Sequence, residues 1–201
     1  MALSGICRME LDIHVVGLCG CLRDGSETRV ALRTALDATE SMGATTTLVD
    51  LRTYDLPLLD GDEATPPDAE ALRETVRDAD AVLLATPMYH GSYSSPLKTA
   101  LDYCGFEEFE GKTVGLLAVS GCGFPTPALE HLRSVCRALN AWTLPVEVGI
   151  PDARSNIEDG EITDEDTADR VQRLGERLVL FAGVDEYPEV ASTTLESVTG
   201  F

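Results

Sequence analysis

Five apolar segments rich in β-branched residues alternate along this chain with segments of helical periodicity. This alternation limits the possible folds more than any other feature, because near-continuous apolar strands belong to parallel sheets that helices cover on both faces. The predicted strands are residues 11–18, 44–51, 81–86, 113–120 and 142–150. Since a proline cannot donate a hydrogen bond within a sheet, Pro145 predicts that the last segment is an edge or interrupted strand.

Helical spacing of apolar residues predicts five helices between and after these strands. They are centred on residues 30–38, 72–79, 97–104, 129–139 and 171–181. Strict alternation of five strands and five helices predicts the flavodoxin-like α/β fold, a three-layer α/β/α arrangement around a five-stranded parallel sheet of strand order 2-1-3-4-5.

The domain organisation predicted from the sequence is simple. We expect an N-terminal extension over residues 1–10, a single flavodoxin-like domain over residues 11–183 and an acidic C-terminal tail over residues 184–201. No apolar run approaches the roughly 20 residues that would span a bilayer. We therefore expect a soluble, cytoplasmic protein that does not act at a membrane.

The charge balance is strongly acidic, with 35 Asp and Glu against 15 Lys and Arg and a net charge of -20. Only Lys98 and Lys112 are lysines. Nucleic-acid binding is disfavoured, since phosphate contacts need clustered positive charge. The acidity favours adaptation to concentrated salt, where self-repulsion is screened. The alternative is an ordinary acidic surface that only aids solubility.

The six cysteines are interpreted as reduced thiols, because a chain of this size has an ordinary core and is not a small disulfide-stabilised domain. Cys19 and Cys21 are separated by a single residue, which is shorter than the usual spacing of paired zinc ligands. We expect no metal site.

Ligands of doubly wound folds bind beyond the carboxyl ends of the strands, at the point where the strand order reverses. In the predicted topology this rule brings together three loops, residues 19–28, 87–95 and 120–126. The candidate functional site is therefore expected at these three loops.

The first of these loops has the composition of a phosphate-binding loop. Residues 20–28 offer hydroxyls, one guanidinium and the free N–H groups of a helix start, all of which suit a phosphate monoester. The lysine of a P-loop and the glycine pattern of a dinucleotide-binding fold are both absent. No cysteine lies six residues before an arginine here, which excludes a cysteine-dependent phosphatase. A simpler alternative is a turn in which Ser26 only caps the helix.

Four motifs, in register with the strand plan, resemble the NADPH-dependent FMN reductase family. Residues 20–28 (GCLRDGSET) resemble its G-S-L-R-x-G-S-x-[NT] loop, and residues 50–57 (DLRTYDLP) resemble its D-L-x-x-[YF]-D-L-P segment. Residues 86–98 (TPMYHGSYSSPLK) are similar to its P-E-Y-[HN]-G-S-x-x-x-x-L-K loop, and residues 120–123 (SGCG) to its S-G-G turn. The similarity spans residues 11 to about 180.

The resemblance implies that twelve residues bind FMN: four around the phosphate, five along the edge of the isoalloxazine ring and three near its polar end. In that order they are Cys21, Arg23, Ser26 and Thr28; Pro87, Met88, Tyr89, His90 and Gly91; and Ser120, Gly121 and Cys122. Cys21 stands where the family usually has serine, and Met88 where it usually has glutamate. Tyr89 either stacks beside the flavin or only packs its loop. His90 either positions a substrate or has only a structural role.

The resemblance also implies the activity. NADPH or NADH would reduce bound FMN, which would pass electrons to a small acceptor such as free flavin, a quinone, an azo compound or a metal species. Since the hydride chemistry belongs to the cofactors, no catalytic side chain is predicted. A homodimer or homotetramer is expected. Two alternatives stay open: a flavodoxin-type electron carrier without its own nicotinamide site, whose usual T-x-T-G-x-T loop is absent, and a flavin-free enzyme on the same scaffold.

Overall fold

A five-stranded parallel sheet forms the centre of the molecule, which a computed structural model describes over residues 13–182. Its strands are β1 (His14–Cys19), β2 (Thr45–Asp50), β3 (Ala81–Pro87), β4 (Thr113–Val119) and β5 (Trp142–Ile150). They lie in the order β2-β1-β3-β4-β5, and every neighbouring pair is parallel. The flavodoxin-like topology predicted from the sequence is confirmed.

Helices cover both faces of this sheet. They are α1 (Glu27–Ser41), α2 (Pro67–Arg77), α3 (Ser95–Tyr103), α4 (Phe106–Phe109), α5 (Thr126–Ala138), α6 (Ala153–Asn156) and α7 (Glu165–Phe181). The starts of the longer helices follow from local sequence. Prolines stand in the first turn of α2, α3 and α5, where a missing N–H is tolerated. Side chains of Ser26 and Asp164 cap α1 and α7 by accepting from backbone N–H groups.

Two apolar cores lie on opposite sides of the sheet. Along β3, Leu83 contributes to the core beneath α1 and α7, whereas its neighbour Leu84 contributes to the core beneath α2, α3 and α5. Both side chains are fully buried. Successive strand residues point to opposite faces, so a strand covered on both sides needs apolar residues at every position. This requirement explains the unbroken apolar runs of the sequence.

Strand β5 forms one edge of the sheet and is interrupted, as Pro145 predicts. Thr143 pairs with Val114 and Glu147 pairs with Leu116, so three residues of β5 lie opposite the single residue Gly115. The proline lies within this bulge, where its missing N–H disrupts no regular ladder.

The short elements are absent from the sequence prediction. These are α4, α6, a 3-10 turn at Leu51–Thr53, and the hairpin formed by β6 (Ile157–Glu158) and β7 (Glu161–Ile162). The apolar pattern predicted Ala79, Cys104 and Leu139 to be helical, but they lie outside the helices, because α2, α3 and α5 end at Arg77, Tyr103 and Ala138.

The predicted N-terminal extension and acidic tail, and the outer boundaries of the domain between them, fall outside the described residues. Each helix within residues 13–182 is too short or too polar to span a lipid bilayer.

Candidate cofactor-binding site

A cavity of about 420 Å³ opens at the carboxyl ends of β1, β3 and β4. The loops that follow these strands form it, as the topology predicts. Eight of the twelve predicted residues line this cavity: Cys21, Arg23, Thr28, Pro87, Met88, Tyr89, Ser120 and Gly121. The other four, Ser26, His90, Gly91 and Cys122, are not among its lining residues. The volume lies within the range of about 300–1,000 Å³ typical of small-molecule sites.

The loop between β1 and α1 presents the start of a helix to the cavity. The Ser26 Oγ accepts a hydrogen bond from the Arg29 backbone N–H at 3.1 Å, so Ser26 caps α1, which is the simpler alternative to its predicted contact with the phosphate. Ser26 lines an adjoining cavity of about 480 Å³ instead. Thr28 is buried and lines the main cavity. N–H groups in a first helical turn have no preceding turn to bond, which makes them donors for an anion.

Arg29 supports the same loop through hydrogen bonds to its backbone. Its guanidinium is buried and donates to the carbonyl oxygens of Cys21, Arg23 and Asp24 at 3.1–3.2 Å. The Arg29 Nε lies 3.0 Å from the Asp50 carboxylate. Three carbonyls bound to one planar group fix the path of the loop, so Arg29 is a supporting residue. The sequence analysis missed it, because a helical arginine after a capping serine carries no distinctive pattern.

The charges at the loop surface are already partly paired. The Arg23 Nη1 lies 3.5 Å from the Glu27 carboxylate, and the Arg23 side chain is half exposed. Arg52 pairs with Asp24 at 2.8 Å and with Asp50 at 2.6 Å. The side-chain hydrogen bond from Arg52 holds the pKa of Asp50 below its ordinary value, against the opposing effect of burial.

A two-residue hairpin forms the tip of the loop after β3. Tyr89 and Ser92 exchange both backbone hydrogen bonds at 3.0 and 3.1 Å. The central residues His90 and Gly91 both have positive φ, 51° and 79°, as a type I′ turn requires. This geometry keeps Tyr89 at the cavity and leaves His90 exposed outside it. The Ser92 Oγ lies 3.0 Å from the Nδ1 of His131 on α5, which anchors the hairpin.

Tyr89 presents a half-exposed ring to the cavity. Partial burial raises the pKa of the Tyr89 phenol, and the neighbouring Cys21 thiol acts in the same direction. The phenol therefore stays neutral at physiological pH and can offer a hydrogen bond. Tyr89 and Cys21 come from different loops but lie together at this wall of the cavity.

The loop after β4 forms the opposite wall. The Ser120 backbone N–H donates to Ile150 at 2.9 Å, and its Oγ donates to the Gly123 carbonyl. A side chain built on Gly121 would meet no atom within 4 Å, so the space above this residue is open. Cys122 is exposed.

Four lining residues were not predicted from the sequence: Glu27, Val119, Ala153 and Arg154. Val119 is the last residue of β4, and Glu27 lies within the predicted loop, so their positions could have been inferred. Ala153 and Arg154 belong to α6, which has no apolar periodicity. The Ala153 N–H donates to the Ser120 carbonyl at 2.9 Å, a long-range contact that brings α6 to the cavity.

Cys19, Cys21, Cys104, Cys122 and Cys136 are free thiols. Burial raises the pKa of Cys19, which disfavours the thiolate at neutral pH. Over residues 13–182, the His, Cys, Asp and Glu side chains form no group of three or more that could hold a metal ion.

Comparison with known proteins adds family information to this geometry. The model of the family described as NADPH-dependent FMN reductase matches residues 13–155. An FMN-dependent NADPH-azoreductase of Staphylococcus aureus is 34% identical over 119 residues. That match covers 58% of this chain and 63% of the azoreductase, so the chain spans less than two thirds of this relative.

Solved structures show the same fold at lower sequence identity. FerB, a flavoenzyme NAD(P)H:(acceptor) oxidoreductase from Paracoccus denitrificans, superposes with a TM-score of 0.71 at 22% identity, covering 83% of this chain and 95% of FerB. The apo form of EMOB, an NADH:FMN oxidoreductase, superposes with a TM-score of 0.69 at 19% identity, covering 86% of this chain and 91% of EMOB.

Proposed function

The chain belongs to the NADPH-dependent FMN reductase family, and from this membership we propose that it binds FMN in the cavity described above. In this proposal a reduced nicotinamide, NADPH or NADH, delivers electrons to FMN, and a small acceptor removes them. The observation that carries the proposal is the cavity itself, where the fold brings together eight residues from three separate family-like motifs.

The residues present fit FMN. The molecule has a phosphate at one end and a flat, largely apolar ring at the other. Arg23, Thr28 and the first turn of α1 supply positive charge and hydrogen-bond donors for the phosphate. Pro87, Met88 and the half-exposed Tyr89 supply apolar surface for the ring, and the open space above Gly121 leaves room for its polar end.

When bound, FMN would supply the hydride and electron chemistry. The protein then has to bind the cofactor and orient it, and in this proposal its residues divide that work. Arg29 fixes the phosphate loop through three carbonyls, and His131 holds the Tyr89 hairpin through Ser92. The Tyr89 phenol, whose pKa burial raises above its ordinary value, is protonated at neutral pH and can donate a hydrogen bond at the cavity wall.

The acceptor in this proposal is a small, flat, reducible molecule, with an azo compound or a quinone as the first candidate. An azo compound is suggested by the Staphylococcus aureus relative, whose name records NADPH-dependent azoreductase activity. Free flavin and oxidised metal species are further acceptors to be compared with these.

The decisive test is spectroscopic. The purified chain, saturated with FMN and freed of unbound cofactor, is expected to show the visible absorbance of bound flavin. Under anaerobic conditions, addition of NADPH should bleach this absorbance, and an azo dye or quinone should restore it. A colourless protein with no FMN affinity contradicts the proposal. A flavin that is retained but not bleached by NADPH or NADH favours the electron-carrier alternative.

Three wider properties belong to the same proposal. The net charge of -20 suits concentrated salt, which would screen self-repulsion. Exposed Leu58 and Leu59 suit subunit contacts in a homodimer or homotetramer, a state that light scattering would measure. Free thiols and a nicotinamide co-substrate suit the cytoplasm.

A further inference from the structure

Arg154 is the feature of the cavity that the family motifs do not account for. It lines the cavity from α6 and its side chain is exposed. Within residues 13–182 its guanidinium has no hydrogen-bond or ion-pair partner. Arg23, by contrast, faces Glu27 at 3.5 Å, and the Arg29 guanidinium is committed to loop carbonyls and Asp50.

The surrounding contacts place Arg154 close to the phosphate loop. On one side, Ala153 donates to Ser120 at the end of β4. On the other side, β7 contacts α1, and Ile157 and Gly160 line the adjoining cavity together with Glu27. Arg154 therefore lies in a short segment that bridges the end of β4 and the first turn of α1.

The phosphate loop is short of positive charge for its ligand. Residues 20–28 contain one arginine, Arg23, and two acidic residues, Asp24 and Glu27. A phosphate monoester carries about -1.5 to -2 charges at neutral pH. Glu27 also lines the cavity, so its carboxylate would face the same anion. A single arginine that is already partly paired with Glu27 cannot balance this charge, and an unpaired arginine on the same cavity can supply a further positive charge.

We propose that Arg154 is a second phosphate-binding residue, acting with Arg23 on the phosphate of FMN. The inference rests on the proposed function and extends it to a residue outside the four motifs. It also gives α6 a role, because this short helix carries the guanidinium to the cavity.

The test compares FMN with riboflavin, which has the same ring but no phosphate. Apoprotein is titrated with each flavin, and the fluorescence change gives both dissociation constants at several KCl concentrations. Arg154→Gln is expected to raise the dissociation constant of FMN at least about tenfold at low salt, which is the lower end of the effect of losing a charge-assisted hydrogen bond. Riboflavin binding should be unchanged, and FMN binding should become less sensitive to KCl.

Two further variants make the result specific. Arg154→Lys keeps the charge and should recover part of the lost FMN affinity. Arg173→Gln removes an exposed arginine from α7 and should leave both affinities unchanged, which controls for the change in net charge.

Three results would overturn the inference. In the first, Arg154→Gln weakens the binding of FMN and of riboflavin equally, which would mean that the residue contacts the flavin ring or stabilises the fold. In the second, FMN affinity is unchanged while the KM for NADPH rises, which would mean that Arg154 binds the co-substrate. In the third, the unaltered chain binds neither flavin, and the proposed function then fails as well.

Discussion

At the scale of single residues, the cavity carries a thiol where related loops usually carry a hydroxyl. Cys21 is buried and lines the cavity at the proposed phosphate end. A thiol is a weaker hydrogen-bond donor and acceptor than a serine hydroxyl. The protein is therefore expected to hold its cofactor less tightly than the loop geometry would allow.

Replacing Cys21 with serine should tighten FMN binding. One better hydrogen bond contributes about 0.5–1.5 kcal/mol, which corresponds to a dissociation constant about two- to tenfold lower. Fluorescence titration of the apoprotein with FMN measures the change. Cys122→Ser is the matched control, because Cys122 belongs to a family-like motif but is exposed and not among the lining residues.

Unchanged affinity in Cys21→Ser would show that this position does not contact the phosphate. A change in Cys122→Ser would instead support the sequence prediction that Cys122 reaches the flavin. The two variants thus distinguish FMN contacts predicted from the sequence motif from FMN contacts predicted from the lining of the cavity.

At the scale of elements, α1 and α7 pack so closely that only glycine fits at their contact. A Cβ atom built on Gly175 would lie 2.1 Å from the Ala35 carbonyl oxygen. Real Cβ atoms do not approach backbone oxygen this closely, so a larger residue must push the two helices apart. The packing of this layer therefore depends on a residue that helix propensity alone would disfavour.

Gly175→Ala is expected to destabilise the protein by about 1–3 kcal/mol, the usual cost of overpacking a core. Helix propensity predicts the opposite sign, a gain of about 1 kcal/mol for alanine. Urea unfolding measures which of these two effects on the free energy of unfolding is larger. Gly61→Ala is the control, because a Cβ there meets nothing within 4 Å. A stabilised Gly175→Ala variant would contradict the described contact.

Helix α2 is joined to the start of α4 by a buried carboxylate. Glu108 has no exposed side-chain surface, and it accepts from Gly105 N–H at 2.7 Å, Arg77 at 2.6 Å and Arg73 at 3.2 Å. Burial alone would raise the pKa of Glu108. The hydrogen bonds from Gly105 and Arg77, together with the charge of Arg73, outweigh burial and hold this pKa below its ordinary value.

Glu108→Gln should lower the free energy of unfolding at pH 7 by about 1.5–3 kcal/mol, the range for hydrogen bonds to charged groups. Since the folded-state pKa is lowered, this stabilisation is complete above the unfolded pKa of about 4.3 and is lost as pH falls through the folded value. The difference in the free energy of unfolding between the unaltered chain and the variant should therefore become smaller in acid. Urea unfolding at several pH values would measure this difference.

Glu107→Gln provides the comparison, because it removes the neighbouring carboxylate, whose side chain is 74% exposed. Surface ion pairs contribute about 0–1 kcal/mol, so the free energy of unfolding of this variant should be close to that of the unaltered chain at every pH. Equal effects of the two substitutions would contradict the role given to Glu108.

The long elements could be predicted from the sequence, and the short ones could not. All five strands and five long helices carry enough residues to show a period, so their existence and order followed from pattern alone. Helix α4 has four residues and each strand of the β6–β7 hairpin has two. Such segments contain less than one full repeat of any pattern, and tertiary contacts determine them.

The same distinction applies to the site. Motifs and topology together predicted the three loops and eight of the cavity-lining residues. They could not show that His90 and Gly91 lie outside the cavity lining, because this depends on a tight turn with two positive φ angles. Nor could they reveal Arg154, since it reaches the cavity only when the chain after β5 returns toward α1.

At the scale of the whole molecule, 35 acidic residues dominate the electrostatics. Within the described residues, several arginines already form ion pairs, including Arg52, Arg73 and Arg77, so much of the negative charge faces water. The Debye length falls from about 10 Å at 0.1 M salt to about 3 Å at 1 M. Added salt should therefore relieve repulsion that opposes folding and the binding of anionic cofactors.

Thermal stability and FMN affinity are both expected to rise as KCl increases from about 0.1 M to about 1 M, as the Debye length falls. Differential scanning fluorimetry and flavin titration measure the two quantities. Riboflavin titration is the control for affinity, because a neutral ligand should respond less to screening. Flat or falling profiles for both stability and FMN affinity would contradict the proposed salt adaptation.

The interrupted edge of the sheet has a consequence for solubility. An exposed edge strand is a template on which another polypeptide can add by hydrogen bonding. On β5, Pro145 has no amide hydrogen and the bulge opposite Gly115 breaks the straight row of donors and acceptors. Strand addition by a second polypeptide is therefore disfavoured along this edge of the sheet, which lowers the tendency of partly unfolded copies to aggregate through β5.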